Sequence, residues 1–81
     1  MKFYYVYILQ SESDTERHYI GFTDDIEIRL REHNSKKCKH TSKFTPWAIK
    51  TAIAFTNHKK AREFEQYLKS ASGRAFAKKH L

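Results

Sequence analysis

A chain of 81 residues is long enough for one domain that buries roughly 60% of its unfolded surface, and a second core is excluded. Its single cysteine, Cys38, excludes an internal disulfide and a Cys-Cys zinc pair. No run nears the roughly 18 apolar residues of a membrane span and no cleavable signal pattern opens the chain, so a soluble cytoplasmic protein is expected.

The net charge of +7 is unevenly spread. Residues 1–32 hold seven acids and four bases, residues 33–62 hold eight Lys/Arg and no acid, and residues 66–81 add four bases and again no acid. Such a field suits a polyanion, of which nucleic acid is the commonest.

Residues 3–9 are apolar on both alternating faces, with Phe3, Tyr5, Tyr7 and Leu9 on one side and Tyr4, Val6 and Ile8 on the other. This pattern predicts a central strand covered on both sides. A polar, turn-rich segment from Ser11 to Glu16 leads to a second short strand, His18 to Phe22, in an antiparallel hairpin. Gly21 is expected to let the chain turn sharply between this strand and the next element. Asp24 followed by Glu27 resembles a capping box, and Asp25 also suits a positive helix N-terminus, so a helix is predicted from about Asp25 to Asn34. Its inner face carries Ile26, Leu30 and His33, which leaves Glu27, Arg31 and Glu32 for solvent. Arg29 borders that face one turn before His33, where it can reach into a cleft.

Asn34 to Pro46 lacks periodicity and is dense in lysine, the mark of a functional or mobile loop. Trp47 to Phe55, with Ile49, Ile53 and Phe55 at odd positions, predicts a third strand. Asn57 is placed to cap a helix whose buried stripe is Ala61, Phe64, Leu68 and Ala71, with Glu65 at its margin. Ser72-Gly73 is expected to break that pattern before a short last helix, Arg74 to His80, anchored by Phe76. The fold class is α+β, one domain over residues 1–81, with the order β-β-α-β-α-α and a three-stranded antiparallel sheet flanked by helices.

Four stretches in this order, Tyr5-Val6-Tyr7, Tyr19-Ile20-Gly21, Arg29-Leu30-Arg31-Glu32-His33-Asn34, and Phe64-Glu65-Gln66-Tyr67-Leu68-Lys69 followed by Gly73-Arg74, carry a family resemblance. The chain resembles the GIY-YIG endonuclease superfamily nearly end to end, and in particular its small stand-alone members. The resemblance implies the GIY-YIG nuclease fold and cleavage of DNA phosphodiesters with one divalent metal ion, Mg²⁺ or Mn²⁺. It makes Glu65 the metal ligand, Arg29 the arginine beside the scissile phosphate, and Tyr7 and Tyr19 the paired motif tyrosines. His33 matches a histidine found in part of the superfamily, and His40 lies in the loop where some members place another. Two features depart from the pattern: Tyr5 stands in place of a glycine, and residues 66–81 lack the asparagine that some members carry after the glutamate helix.

The chemistry fits these residue types. One carboxylate, Glu65, holds Mg²⁺ if waters and phosphate oxygens complete the shell, and no acid at suitable spacing suggests a second metal. Arg29 offers a phosphate two hydrogen bonds and a fixed charge. A tyrosine with its ordinary pKa of about 10 needs a nearby cation to act as a base. Tyr7 is the favoured base, with Tyr19 and His33 orienting water or relaying its proton.

Each residue also has a plainer reading. The tyrosines suit a strand core, Arg29 a solvated helix face, His33 a structural role, and Glu65 a surface pair with Lys69. Cys38 and His40 are too few to form a metal site. Lys36, Lys37, Lys39, His40 and Lys43 in the loop, with Lys69, Arg74, Lys78 and Lys79, are expected to hold DNA phosphates without reading sequence. Selectivity would then follow DNA structure or come from a targeting protein partner, and the oligomeric state is open.

The expectation is a metal-dependent DNA endonuclease acting in repair or recombination. The alternatives are a non-catalytic nucleic-acid-binding module that retains the fold and a protein-interaction adaptor.

Overall fold

The computed structural model describes residues 1–35, 37 and 39–81. Lys36, expected to be a phosphate contact, and Cys38 lie outside the described residues. The elements follow the order β1 (Tyr4–Ser11), β2 (His18–Thr23), α1 (Ile26–Asn34), a 3-10 turn (Ser42–Phe44), β3 (Trp47–Phe55), α2 (His58–Leu68) and α3 (Ala71–His80). The strands form one antiparallel sheet in the order β2-β1-β3. The two-sided apolar pattern of β1 has its explanation here: the central strand is covered on both faces, and Val6, Tyr7, Ile8 and Leu9 are all buried. No helix of the described residues is long and apolar enough to cross a membrane.

Alternation along β1 divides the core into two layers. Val6 and Ile8 pack with Ala61 and Leu68 of α2, and Phe64 and Phe76 border them. On the opposite face Tyr7 and Leu9 pack with Trp47, bordered by Ile26 and Leu30 of α1 and by Phe44.

A β-bulge links the layers. Ile8 pairs with Thr51 but Leu9 pairs with Ile49, so Lys50 is the extra residue. Paired residues in an antiparallel sheet share a face, and a bulge reverses the alternation beyond it. Ile53 therefore shares the face of Val6, while Trp47 and Ile49 lie on the face of Leu9 and Ser11. The single face expected for Ile49, Ile53 and Phe55 is thus corrected to two.

The helix boundaries shift for local reasons. Asp25, not Asp24, caps α1, its Oδ1 accepting from Ile28 N at 3.1 Å, while Asp24 pairs with Lys2 at 3.3 Å. Asn57 caps α2 as expected, accepting from Lys60 N at 2.9 Å. The break between the last helices falls at Lys69-Ser70, because Ser70 Oγ accepts from Gly73 N and starts a new helix at Ala71. Ala71 therefore lies outside the α2 stripe and is exposed, while Ser72 and Gly73 sit in the first turn of α3. A Cβ on Gly73 would collide with the Tyr67 carbonyl, so the tight corner between α2 and α3 requires a glycine at this position.

Candidate active site

Tyr7 and Gly21 face each other across the β1–β2 ladder. Gly21 makes no turn and has no positive φ. Its role is space, because a Cβ there would collide with the ring and hydroxyl of Tyr7, which lies across it. The corrected reading is that Gly21 lets the phenol reach along the sheet toward α1.

Helix α1 supplies the groups that meet this hydroxyl. His33, on the inward face with no exposed surface, brings Nε2 to 3.1 Å from Tyr7 Oη. Arg29, one turn earlier, donates from Nε to the same oxygen at 3.3 Å and from Nη1 to Glu32 at 3.0 Å. Glu32, expected to face solvent, is half-buried and holds the guanidinium from the other side. Tyr19 completes the cluster, its ring centroid 4.7 Å from that of His33 and 6.3 Å from that of Tyr7. The two tyrosines differ in access: Tyr7 is 1% exposed, while Tyr19 is only half-buried and has no hydrogen bond from its hydroxyl among the described residues.

The far side of His33 is held by residues the sequence reading did not single out. His33 Nδ1 lies 2.9 Å from Thr41 Oγ1, and Thr41 is itself buried. Trp47 Nε1 donates to the Thr41 carbonyl at 2.8 Å. Asn34 clamps the Trp47 backbone, accepting from Trp47 N at 2.6 Å and donating to Trp47 O at 3.0 Å. The Lys-rich loop is therefore fastened at both ends by polar contacts that hydrophobic periodicity cannot signal. His40, beside Thr41, is exposed, and the structure places Thr41 rather than His40 in the cluster.

Burial, and then the Arg29 charge, lower the pKa of His33 below its ordinary 6.5, with Glu32 acting in the opposite sense. The ring is thus neutral near pH 7, with one donor and one acceptor nitrogen. With the proton on Nδ1, donated to Thr41, Nε2 accepts from the Tyr7 hydroxyl, whose oxygen accepts from Arg29. This tautomer gives each of these groups a complementary partner.

Glu65 lies in the other layer. The sequence places it at the margin of the α2 stripe, but it is 6% exposed and belongs to the buried stripe with Ala61 and Leu68, which faces Val6 and Ile8. Lys69 Nζ donates to Oε2 at 3.0 Å. Oε1 is buried without a hydrogen bond, with Arg62 Nη1 at 3.4 Å as an ion-pair neighbour. Among the described residues no group of three or more His, Cys, Asp or Glu is placed to hold a metal. The fold therefore gathers Tyr7, Tyr19, Arg29 and His33 in one layer and sets Glu65 against the opposite face of the sheet.

Two open depressions accompany these residues. One, of about 540 Å³, brings Arg29 together with Lys2, Tyr4 and His58. The other, about 950 Å³, runs between the β1–β2 hairpin and α3, with Tyr19, Lys69, Arg74 and Lys78 on its walls. Lys37, Lys39, Lys43 and Lys79 are exposed and line neither.

Comparison with known proteins gives these groups a context. A family model described as the GIY-YIG catalytic domain matches residues 3–79. The chain is 37% identical over 70 residues to the UPF0213 protein YsiG of Lactococcus lactis, covering 85% of this chain and 65% of that one. It is 39% identical over 72 residues to the structure-specific endonuclease subunit SLX1 homolog of Drosophila mojavensis, covering 78% of this chain but 24% of that one. The chain thus spans just under two thirds of the first relative's length and about a quarter of the second's. The solution NMR structure of a UPF0213 protein from Bacillus halodurans matches with a TM-score of 0.57 at 31% identity, over 94% of this chain and 80% of that one. With its sheet order, its ordered motifs and a family match over nearly all its length, this chain belongs to the GIY-YIG catalytic domain family.

Proposed function

We propose that the chain is a metal-dependent endonuclease that hydrolyses DNA phosphodiester bonds, with repair or recombination as its setting. The observation that carries this reading is the buried relay Arg29–Tyr7–His33–Thr41, in which one phenol oxygen meets a guanidinium and an imidazole at 3.3 and 3.1 Å. A purely apolar core would be cheaper than burying a histidine, a tyrosine hydroxyl and part of an arginine together.

In this reading Tyr7 is the proton acceptor for the attacking water. Arg29 favours negative charge on the phenol oxygen, and neutral His33 takes the phenol proton at Nε2. Thr41 fixes the ring so that Nε2 points at Tyr7. Arg29 also binds the phosphate from its open cleft, where a phosphoryl oxygen competes with Glu32 for Nη1. Tyr19, the more open of the two tyrosines, orients the incoming water.

Glu65 would hold the divalent ion. Its buried Oε1, unmatched by a hydrogen bond, fits a ligand oxygen, and waters and phosphate oxygens would fill the other positions. The ion supplies charge neutralisation at the phosphoryl group and leaving oxygen. The test is cleavage of plasmid and branched DNA with Mg²⁺ or Mn²⁺. Arg29→Ala and Glu65→Ala should each lower turnover about 100-fold or more while leaving the circular dichroism spectrum unchanged. A fully active Glu65→Ala would end the metal assignment.

A second reading is favoured by one specific observation: Glu65 is tied to Lys69 and Arg62 in the layer opposite Tyr7. It makes the chain a non-catalytic module that binds nucleic acid and keeps the family fold. Salt-sensitive DNA binding without metal-dependent cleavage would select it.

A further inference from the structure

The groove between the hairpin and α3 carries more chemistry than phosphate attraction. Its walls bear His18, Lys50, Lys69, Arg74 and Lys78, and among the described lining residues Glu16 is the one acid. Lys69 is engaged with Glu65, but Lys50, Arg74 and Lys78 have no carboxylate within ion-pair distance among the described residues. Lys50 owes its place to the bulge. In a regular strand it would share the face of Leu9, whereas the extra residue brings it to the groove on the Ile8 side.

The floor is different. Half-buried Ile20 and Ala77 lie there above buried Ile8, with Tyr19 also on the lining. A duplex turns its phosphates and sugars outward and keeps its base faces stacked inside, so it has nothing to lay on such a floor. An unpaired strand has both charged phosphates for the walls and free base faces for the apolar floor.

We propose that this groove is a track for an unpaired nucleic-acid strand, with Lys50 and Arg74 as its principal phosphate contacts. The proposal rests on the nucleic-acid reading above and narrows it to a substrate with a single-stranded segment. Neither Lys50 nor Arg74 belongs to the phenol–imidazole cluster or to Glu65.

The test is fluorescence anisotropy with dye-labelled oligothymidylate and, separately, a blunt hairpin duplex of equal phosphate count, each over a salt series. Lys50→Ala/Arg74→Ala should weaken oligothymidylate binding about tenfold or more and flatten its log-log salt slope by about 1.4, while duplex affinity falls by a clearly smaller factor. Arg74→Ala/Lys78→Ala, confined to the exposed face of α3, should have the same selective effect and guards against a folding defect at the bulge. Unchanged oligothymidylate binding in both double variants, or equal losses on both probes, would overturn the proposal while leaving DNA binding itself in place. Failure of the unaltered protein to bind either probe would instead remove the nucleic-acid reading on which the proposal stands.

Discussion

At the scale of single residues, the site depends on what each side chain leaves room for as much as on what it contacts. Gly21 is the clearest case, because the Tyr7 hydroxyl occupies the volume a Cβ would need. Gly21→Ala is expected to push the phenol off His33 and Arg29. A buried ring displaced in this way costs about 1–3 kcal/mol, readable as a lower midpoint in urea unfolding. DNA cleavage should fall with it. Stability equal to that of the unaltered protein would show that the close approach is not a constraint. Thr41 teaches a related lesson: a threonine among lysines carries no sequence signal, yet here it is buried and holds Nδ1 of the histidine.

At the scale of elements, short polar side chains decide where helices begin. Asp25, Asn57 and Ser70 each accept a backbone N–H of their helix's first turn. Ser70 matters most to the topology, because it ends the continuity that an apolar stripe from Ala61 to Ala71 suggests. Ser70→Ala should cost about 1 kcal/mol, measured by chemical denaturation, and should lower the helical signal if α3 frays. No loss of stability would mean that the Gly73 corner alone sets the boundary. Strand β3 shows the limit of periodicity in the same way. Its ends, Trp47 and Phe55, are those expected, but its facing is not, because a one-residue bulge leaves composition untouched and reverses every side chain beyond it.

At the scale of the whole molecule, burial of His33 couples the site to global stability. Its pKa is lower in the folded chain than the ordinary 6.5, so below about that pH the unfolded chain binds a proton that the folded chain resists. Stability is therefore full above 6.5 and falls as the pH drops below it. Urea unfolding at pH 8 and pH 5.5 should show this loss, and His33→Asn should flatten it between those two values. A pH dependence identical in the variant would show that His33 is not the titrating group.

The sequence alone determined the element order, the centrality of β1, the family motifs and the basic surplus. Each is written in local pattern: two-sided apolarity, helical spacing, ordered short motifs and charge counts. Tertiary structure alone decided that Tyr7, Arg29 and His33 meet at one oxygen, that Thr41 and Asn34 brace them, and that Glu65 is buried against the opposite face. It also turned Lys50 into the groove with Arg74 and Lys78. The reason is physical: contacts between residues distant in the chain depend on register, on the bulge and on the space beside Gly21, none of which has a period that a sequence displays.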